Sequence, residues 1–215
     1  MREINVTPED ITRQTKFAKP GDIIILKPGI YPLESCAINP TTPPIGTRYD
    51  EPLIIKSENQ SNPAVFTGKA PNAAALNLSS YRYNVQLSDL VFRGVIGHPI
   101  FLNRCEKILI DHCTFEEILQ YPAAGGNGIQ CMNSKQVSVH NCSFHGFGST
   151  ADAGSGEALY FKNSKNIVVS DCLIGDAGHY ALTFDATTES VVTKCTINNQ
   201  QGGGISMLLG SFNIT

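Results

Sequence analysis

The chain has 215 residues, of which 41% are hydrophobic and only 16% charged, with a net charge of −3. That length fits one domain with a sizeable core, and basic residues scattered without a Lys/Arg stripe argue against a nucleic-acid binder. No apolar run approaches the roughly 18 residues of a membrane span.

Taken in chain order, MREINVTPEDITRQ lacks the apolar stretch of a secretory leader. The compartment is therefore open: cytoplasmic, or extracellular or periplasmic if a leader is missing from this chain. Residues 1–20 are expected to cap one end of the fold. Within them, residues 8–17 read as a short helix, with Thr7 as N-cap and Pro8 in the first turn. Residues 21–84 carry short apolar runs, Ile23–Leu26, Leu53–Ile55 and Ala64–Thr67, broken by a Pro-rich loop at 39–52. They read as irregular first coils.

From residue 85 a repeat emerges. VQLSDLVF (85–92), ILIDHCTF (108–115), VSVHNCSF (137–144), IVVSDCLI (167–174) and SVVTKCTI (190–197) align without gaps. Leu90, Cys113, Cys142, Cys172 and Cys195 occupy one position, spaced by 23, 29, 30 and 23 residues. Between these segments a second strand recurs: PIFLN (99–103), GIQCMN (128–133), EALYFKN (157–163), HYALTFD (179–185) and GISMLL (204–209). Apolar residues alternate within each, the runs are too short for helices, and Gly, Asn, Asp and Ser separate them. Periods of this length in strand pattern indicate a solenoid of stacked coils. The fold expected is all-β, a parallel β-helix in a single domain over 1–215, with regular coils over 85–215. The final residues stop inside strand pattern, so a C-terminal end cut short is expected.

The residues before the aligned column are Asp89, His112, Asn141, Asp171 and Lys194. Asp, Asn and His tolerate a left-handed backbone best among non-glycine residues. A one-residue bend is predicted there, turning the chain from one sheet into the next. The cysteine column reads as small inward hydrophobes. Cys36, Cys105 and Cys131 show no CxxC-type metal spacing.

The segment AKPGDIIILKPGIY (18–31), together with these repeats, resembles the pectin-lyase-like superfamily of right-handed parallel β-helix proteins across essentially the whole chain. KILIDHCTF (107–115) resembles the pectate-lyase strand whose Asp binds calcium, which implies Asp111 as a ligand. GEALYFKNSKNIVVSDCLIGDAGHYALTF (156–184) is similar to the alginate and chondroitinase-like lyases of polysaccharide lyase family six. That resemblance implies calcium binding for Glu157 and a base role for Lys162. The position of the family's acid, an Arg, falls on Thr183 here, a departure from the family's pattern.

Alternation also places side chains. If Leu159 and Phe161 point inward, Tyr160 and Lys162 point outward, and so do Thr183 and Asp185 on the next coil. Gln130, Tyr160, Thr183 and Ser206 then form one outward row, and Met132, Lys162, Asp185 and Leu208 the next. β-Elimination of a uronate needs a cation at the carboxylate, a base for the α-proton and an acid for the leaving oxygen. The expected catalytic residues are Lys162 as base, if its pKa is lowered, and Tyr160 or His179 as acid. Gln130, Thr183, Asp185 and Phe101 are expected to bind substrate. Calcium is the cofactor expected, held by Glu157 with Asp152 or Asp176, and Asp111 is a separate candidate.

Two functions stay open on the sequence. One is a lyase or epimerase acting on an acidic polysaccharide. The other is a non-catalytic β-helix module that binds carbohydrate or has a structural role, in which Lys162 and Asp185 are simply an ion pair between adjacent coils. A glycoside hydrolase would need paired carboxylates on matching strands, and no such pair is found.

Overall fold

The computed structural model describes residues 2–34, 38, 50–79, 83–119, 126–148 and 156–215. The described residues form a parallel β-helix. One nine-stranded parallel sheet stacks Arg2–Val6, Asp22–Leu26, Leu53–Ser57, Tyr83–Ser88, Glu106–Asp111, Lys135–His140, Lys165–Ser170, Thr188–Thr193 and Phe212–Ile214. These strands make the first face of the solenoid. The second face stacks Gly29–Pro32, the first parts of Ala64–Ser79 and Val91–Asn103, then Thr114–Glu116, Ser143–His145, Leu173–Gly175 and Thr196–Asn198. The third stacks the last parts of the same two long strands, then Ile129–Met132, Leu159–Lys162, Tyr180–Asp185 and Gly203–Leu208.

Bends between faces are built from single left-handed residues. Asp89, His112, Asn141 and Asp171 have φ between 49° and 58°, as their residue types predict, and Lys194 takes 53° at the same position of its coil. A second such column, Arg104, Asn133, Asn163, Ala186 and Leu209, turns the third face into the first. Only Asn belongs to the tolerant types there, so this column is hidden in the sequence. Stacking lets a bend residue pair with the residue before the bend on the preceding coil: the Asn141 side-chain amide donates to Asp111 Oδ1 at 3.0 Å, and that of Asn133 to Asn103 Oδ1 at 3.0 Å.

The core is a continuous apolar column from Val6 to Phe184. Phe66, Phe92, Phe115 and Phe144 stack ring on ring at centroid distances of 5.3, 5.2 and 4.6 Å, near the ~4.8 Å strand separation. Leu90, Cys113, Cys142 and Cys172 are buried in one column, and Cys195 is partly buried. Their thiols donate to backbone carbonyls two residues back, as from Cys142 to His140 at 3.1 Å. No described cysteine is in a disulfide.

Two N-terminal expectations change. The regular helix is Ile11–Thr15, shorter than 8–17, because residues 8–10 form only turns. Asp10 Oδ1 nonetheless accepts the Thr7 amide at 2.8 Å, and the Thr7 carbonyl accepts the Ile11 amide at 3.1 Å. Residues 1–20 are also more than a cap: Arg2–Val6 is the first strand of the nine-stranded sheet, paired with Asp22–Leu26. No helix among the described residues is long and apolar enough to cross a membrane. The loop over 39–49, Cys36 and Asp152 lie outside the described residues.

Candidate active site on the third face

The third face has the register that its alternation predicts. Tyr160 pairs with Gln130 on one side and Thr183 on the other, and Lys162 with Met132 and Asp185. Phe101 extends the first row beyond Gln130, and Asn77 beyond Phe101. Inward Leu159, Phe161, Leu182 and Phe184 are fully buried and fix these strands against the core.

On the Tyr180–Asp185 strand the outward residues are buried too, Thr183 at 2% and Asp185 at 4% exposure. Asp185 Oδ2 accepts two hydrogen bonds from the previous coil, from Tyr160 Oη at 3.0 Å and from Lys162 Nζ at 2.9 Å. A buried carboxylate needs such partners to stay charged. The cluster acts back on its donors. Burial, then the hydrogen bond and charge of Asp185, push the Tyr160 hydroxyl above its ordinary value. The hydrogen bond to Asp185 likewise raises Lys162. That reverses the condition set for Lys162 as a base, which required a lowered value. The ion pair with Asp185 exists, and it holds the ammonium charged.

Beside this cluster, Glu157 is buried and its Oε1 lies 3.1 Å from His179 Nδ1. The charge of Glu157 also acts on Tyr160, so the two pairs belong to one electrostatic unit. Glu157 sits at the start of its strand because Asn127, on the preceding coil, holds the backbone there. Asn127 Oδ1 accepts the backbone amides of Gly156 and Glu157 at 3.3 and 3.2 Å, and the Asn127 backbone amide donates to His98 Nδ1 at 3.1 Å. His98 and Asn127 are both buried. Neither His98 nor Asn127 is among the site residues expected from the sequence. The recurrence His98, Asn127, Glu157, one per coil at the same strand edge, is the signal that would find them.

Of the other expected metal ligands, the two that are described each pair with a histidine. Asp176 follows the second-face strand Leu173–Gly175 and pairs with His145 at 2.7 Å. Asp111 ends a first-face strand and pairs with His112 at 2.8 Å. Asp152 lies outside the described residues. Among the described residues no group of three or more His, Cys, Asp or Glu could hold a metal ion.

Comparison with known proteins bears on the fold. A family model described as "Right handed beta helix region" matches residues 74–215. No curated protein sequence matches the chain. Among solved structures, the chain is similar to an alginate lyase from Paenibacillus sp. str. FPU-7, at 19% identity and a TM-score of 0.74, covering 98% of this chain and 75% of the other. A mannuronic acid specific polysaccharide family 6 lyase from human gut microbiota has 15% identity and a TM-score of 0.46, with 95% and 61% covered. The Azotobacter vinelandii mannuronan C-5 epimerase AlgE4 A-module has 10% identity and a TM-score of 0.42, with 90% and 58% covered. Repeat, register and family match agree, and the chain belongs to the right-handed β-helix family.

Proposed function

We propose that the third face is the active site of an enzyme acting on an acidic, uronate-containing glycan, by β-elimination or by epimerisation at the same carbon. One observation carries the reading: Tyr160 and Lys162 share the buried carboxylate of Asp185, beside the His179–Glu157 pair. Both reactions begin with removal of the proton α to the uronate carboxylate.

Lys162, held protonated by Asp185, neutralises the substrate carboxylate and so acidifies that proton. His179 points Nδ1 at Glu157, which leaves Nε2 to take the proton. Electrons of the broken C–H bond form the C4–C5 double bond, and the C4–O4 bond breaks. Tyr160, kept neutral by its raised pKa, donates its proton to O4. These roles revise the sequence expectations of Lys162 as base and of His179 as an alternative acid, while Tyr160 stays an acid. Gln130, Thr183 and Phe101 line the same face and serve substrate binding. Calcium stays a proposal resting on Glu157, and no step above is routed through it.

The test is incubation with alginate, pectate and chondroitin, with and without calcium. Unsaturated products are followed in the ultraviolet and solvent-deuterium incorporation by mass spectrometry. Lys162→Ala is expected to lower the rate at least about a hundredfold, and Lys165→Ala, whose amine pairs with Glu189 on the first face, to leave it unchanged. Absence of both product and deuterium incorporation on every polymer sinks the reading. Thr183, standing where related lyases carry Arg, favours a second reading, a non-catalytic carbohydrate-binding module. Binding without turnover in the same assay selects it.

A further inference from the structure

Among the described residues, four side-chain oxygens on the third face are buried without a hydrogen-bond partner: Asn77 Oδ1, Gln130 Oε1, Thr183 Oγ1 and Asp185 Oδ1. All four can accept a hydrogen bond, and only the Thr183 hydroxyl can also donate. Asn77, Gln130 and Thr183 lie in one row along the solenoid axis, alternating coil by coil with Phe101 and Tyr160. Buried polar atoms in proteins are nearly always paired. Thr183 and Asp185, two positions apart on one strand, bring two of these unpaired acceptors together, and that pair is a site awaiting a donor.

The Lys162–Asp185 pair supplies the means of opening it. The Lys162 side chain is 36% exposed and that of Asp185 only 5%, so the ammonium is the partner free to move. A substrate carboxylate draws Lys162 toward itself. Asp185 then loses one of its two donors and has both oxygens to offer. A sugar hydroxyl on the same chain of rings can replace that donor, giving its hydrogen to Asp185 or Thr183.

We infer that this face selects a uronate polymer with free hydroxyls and rejects the same polymer when those hydroxyls carry O-acyl or O-sulfo groups. The inference rests on the glycan reading above. An O-acyl group has no hydrogen to give, and it leaves the acceptors buried and unpaired. An O-sulfo group adds an anion beside Asp185. Sites built to hydrogen-bond a hydroxyl discriminate strongly against analogues that lack it.

The experiment compares matched pairs on the intact chain: O-acetylated alginate against the same sample after de-O-acetylation, and chondroitin sulfate against unsulfated chondroitin. Turnover is read in the ultraviolet and binding by affinity electrophoresis. The free-hydroxyl member is expected to be preferred at least about tenfold. Thr183→Val, nearly isosteric and without an acceptor, is expected to lower that preference several-fold while thermal unfolding shows the fold kept. Asp185→Asn, which replaces one acceptor oxygen with a donor, is expected to do the same. Equal use of both members overturns the selectivity and leaves the enzymatic reading standing. So does a preference unchanged in both variants. Selective binding with no turnover overturns the enzymatic reading and keeps the selectivity. No binding and no turnover of any polymer overturns both.

Discussion

Asp185 organises the candidate site because it is the buried member of every pair it makes. Its partners answer to it in a predictable direction. Lys162 is raised first by the hydrogen bond to Asp185, whereas Tyr160 is raised first by burial and then by Asp185. A group with a raised pKa keeps its proton until the pH climbs through that higher value. The requirement for protonated Lys162 and Tyr160 is therefore met at neutral pH and fails only on the alkaline side. Asp185→Asn removes the anion that raises both groups. The alkaline limb of kcat/KM against pH is expected to move to lower pH in this variant, by more than the limb on the acid side. An unmoved alkaline limb counts against the roles given to Lys162 and Tyr160.

At the scale of the strand and its bends, side-chain hydroxyls do work that a regular sheet leaves undone. The inner corner after the third face carries Ser134, Ser164, Thr187 and Ser211, one per coil. Each hydroxyl accepts the backbone amide of the coil before it: Cys105 to Ser134 at 3.0 Å, Ser134 to Ser164 at 3.2 Å, Ser164 to Thr187 at 3.4 Å and Thr187 to Ser211 at 3.1 Å. The Ser164 hydroxyl also donates to the Lys162 carbonyl at 2.8 Å, tying the ladder to the candidate site. Ser164→Ala leaves the buried Ser134 amide unpaired and is expected to destabilise by about 1–3 kcal/mol. Ser164→Thr keeps the oxygen in a position that Thr187 already fills one coil later, and is expected to cost less than about 1 kcal/mol. Urea unfolding of the two variants checks the difference, and equal midpoints would show that the ladder contributes nothing.

Over the whole molecule, each coil packs only on its neighbours, so burial varies along the axis. The middle coils are closed on both sides, while Ile205, Met207, Leu208 and Leu209 in the last coil are exposed. The thiols report this gradient. Burial pushes Cys131 up to about 12. Cys142 and Cys172 are raised by the neighbouring thiol of the column and by burial. Thiolate is the reactive form, so these groups are protected twice. Cys195 is raised by burial as well, but it is only partly buried. Among the described cysteines, Cys195 is expected to react first with a thiol reagent at pH 8, and the buried ones only in denaturant. Mass mapping of the modified peptides checks the order.

The solenoid itself was legible in the residues. Alternation within GIQCMN, EALYFKN and HYALTFD sets which side chains face out, and Asp, Asn and His before the cysteine column set where the chain bends. Both are local properties, a period of two and a tolerance for positive φ, and repetition makes them visible. The rows Gln130–Tyr160–Thr183 and Met132–Lys162–Asp185 follow from stacking alone. The second bend column was not legible, because Arg104, Ala186 and Leu209 take positive φ under the constraint of neighbouring coils rather than by preference. Nor was the chemistry within the rows. Only stacked coils bring Tyr160 and Lys162 to the same oxygen of Asp185, bury that carboxylate, and turn the expected shift of Lys162 upward. Only they give Asp111 and Asp176 partners from adjacent coils, Asn141 for the one and His145 for the other. Sequence determined the repeat because each coil encodes it alone; tertiary structure decided the site because charge, burial and hydrogen bonding there pass between coils.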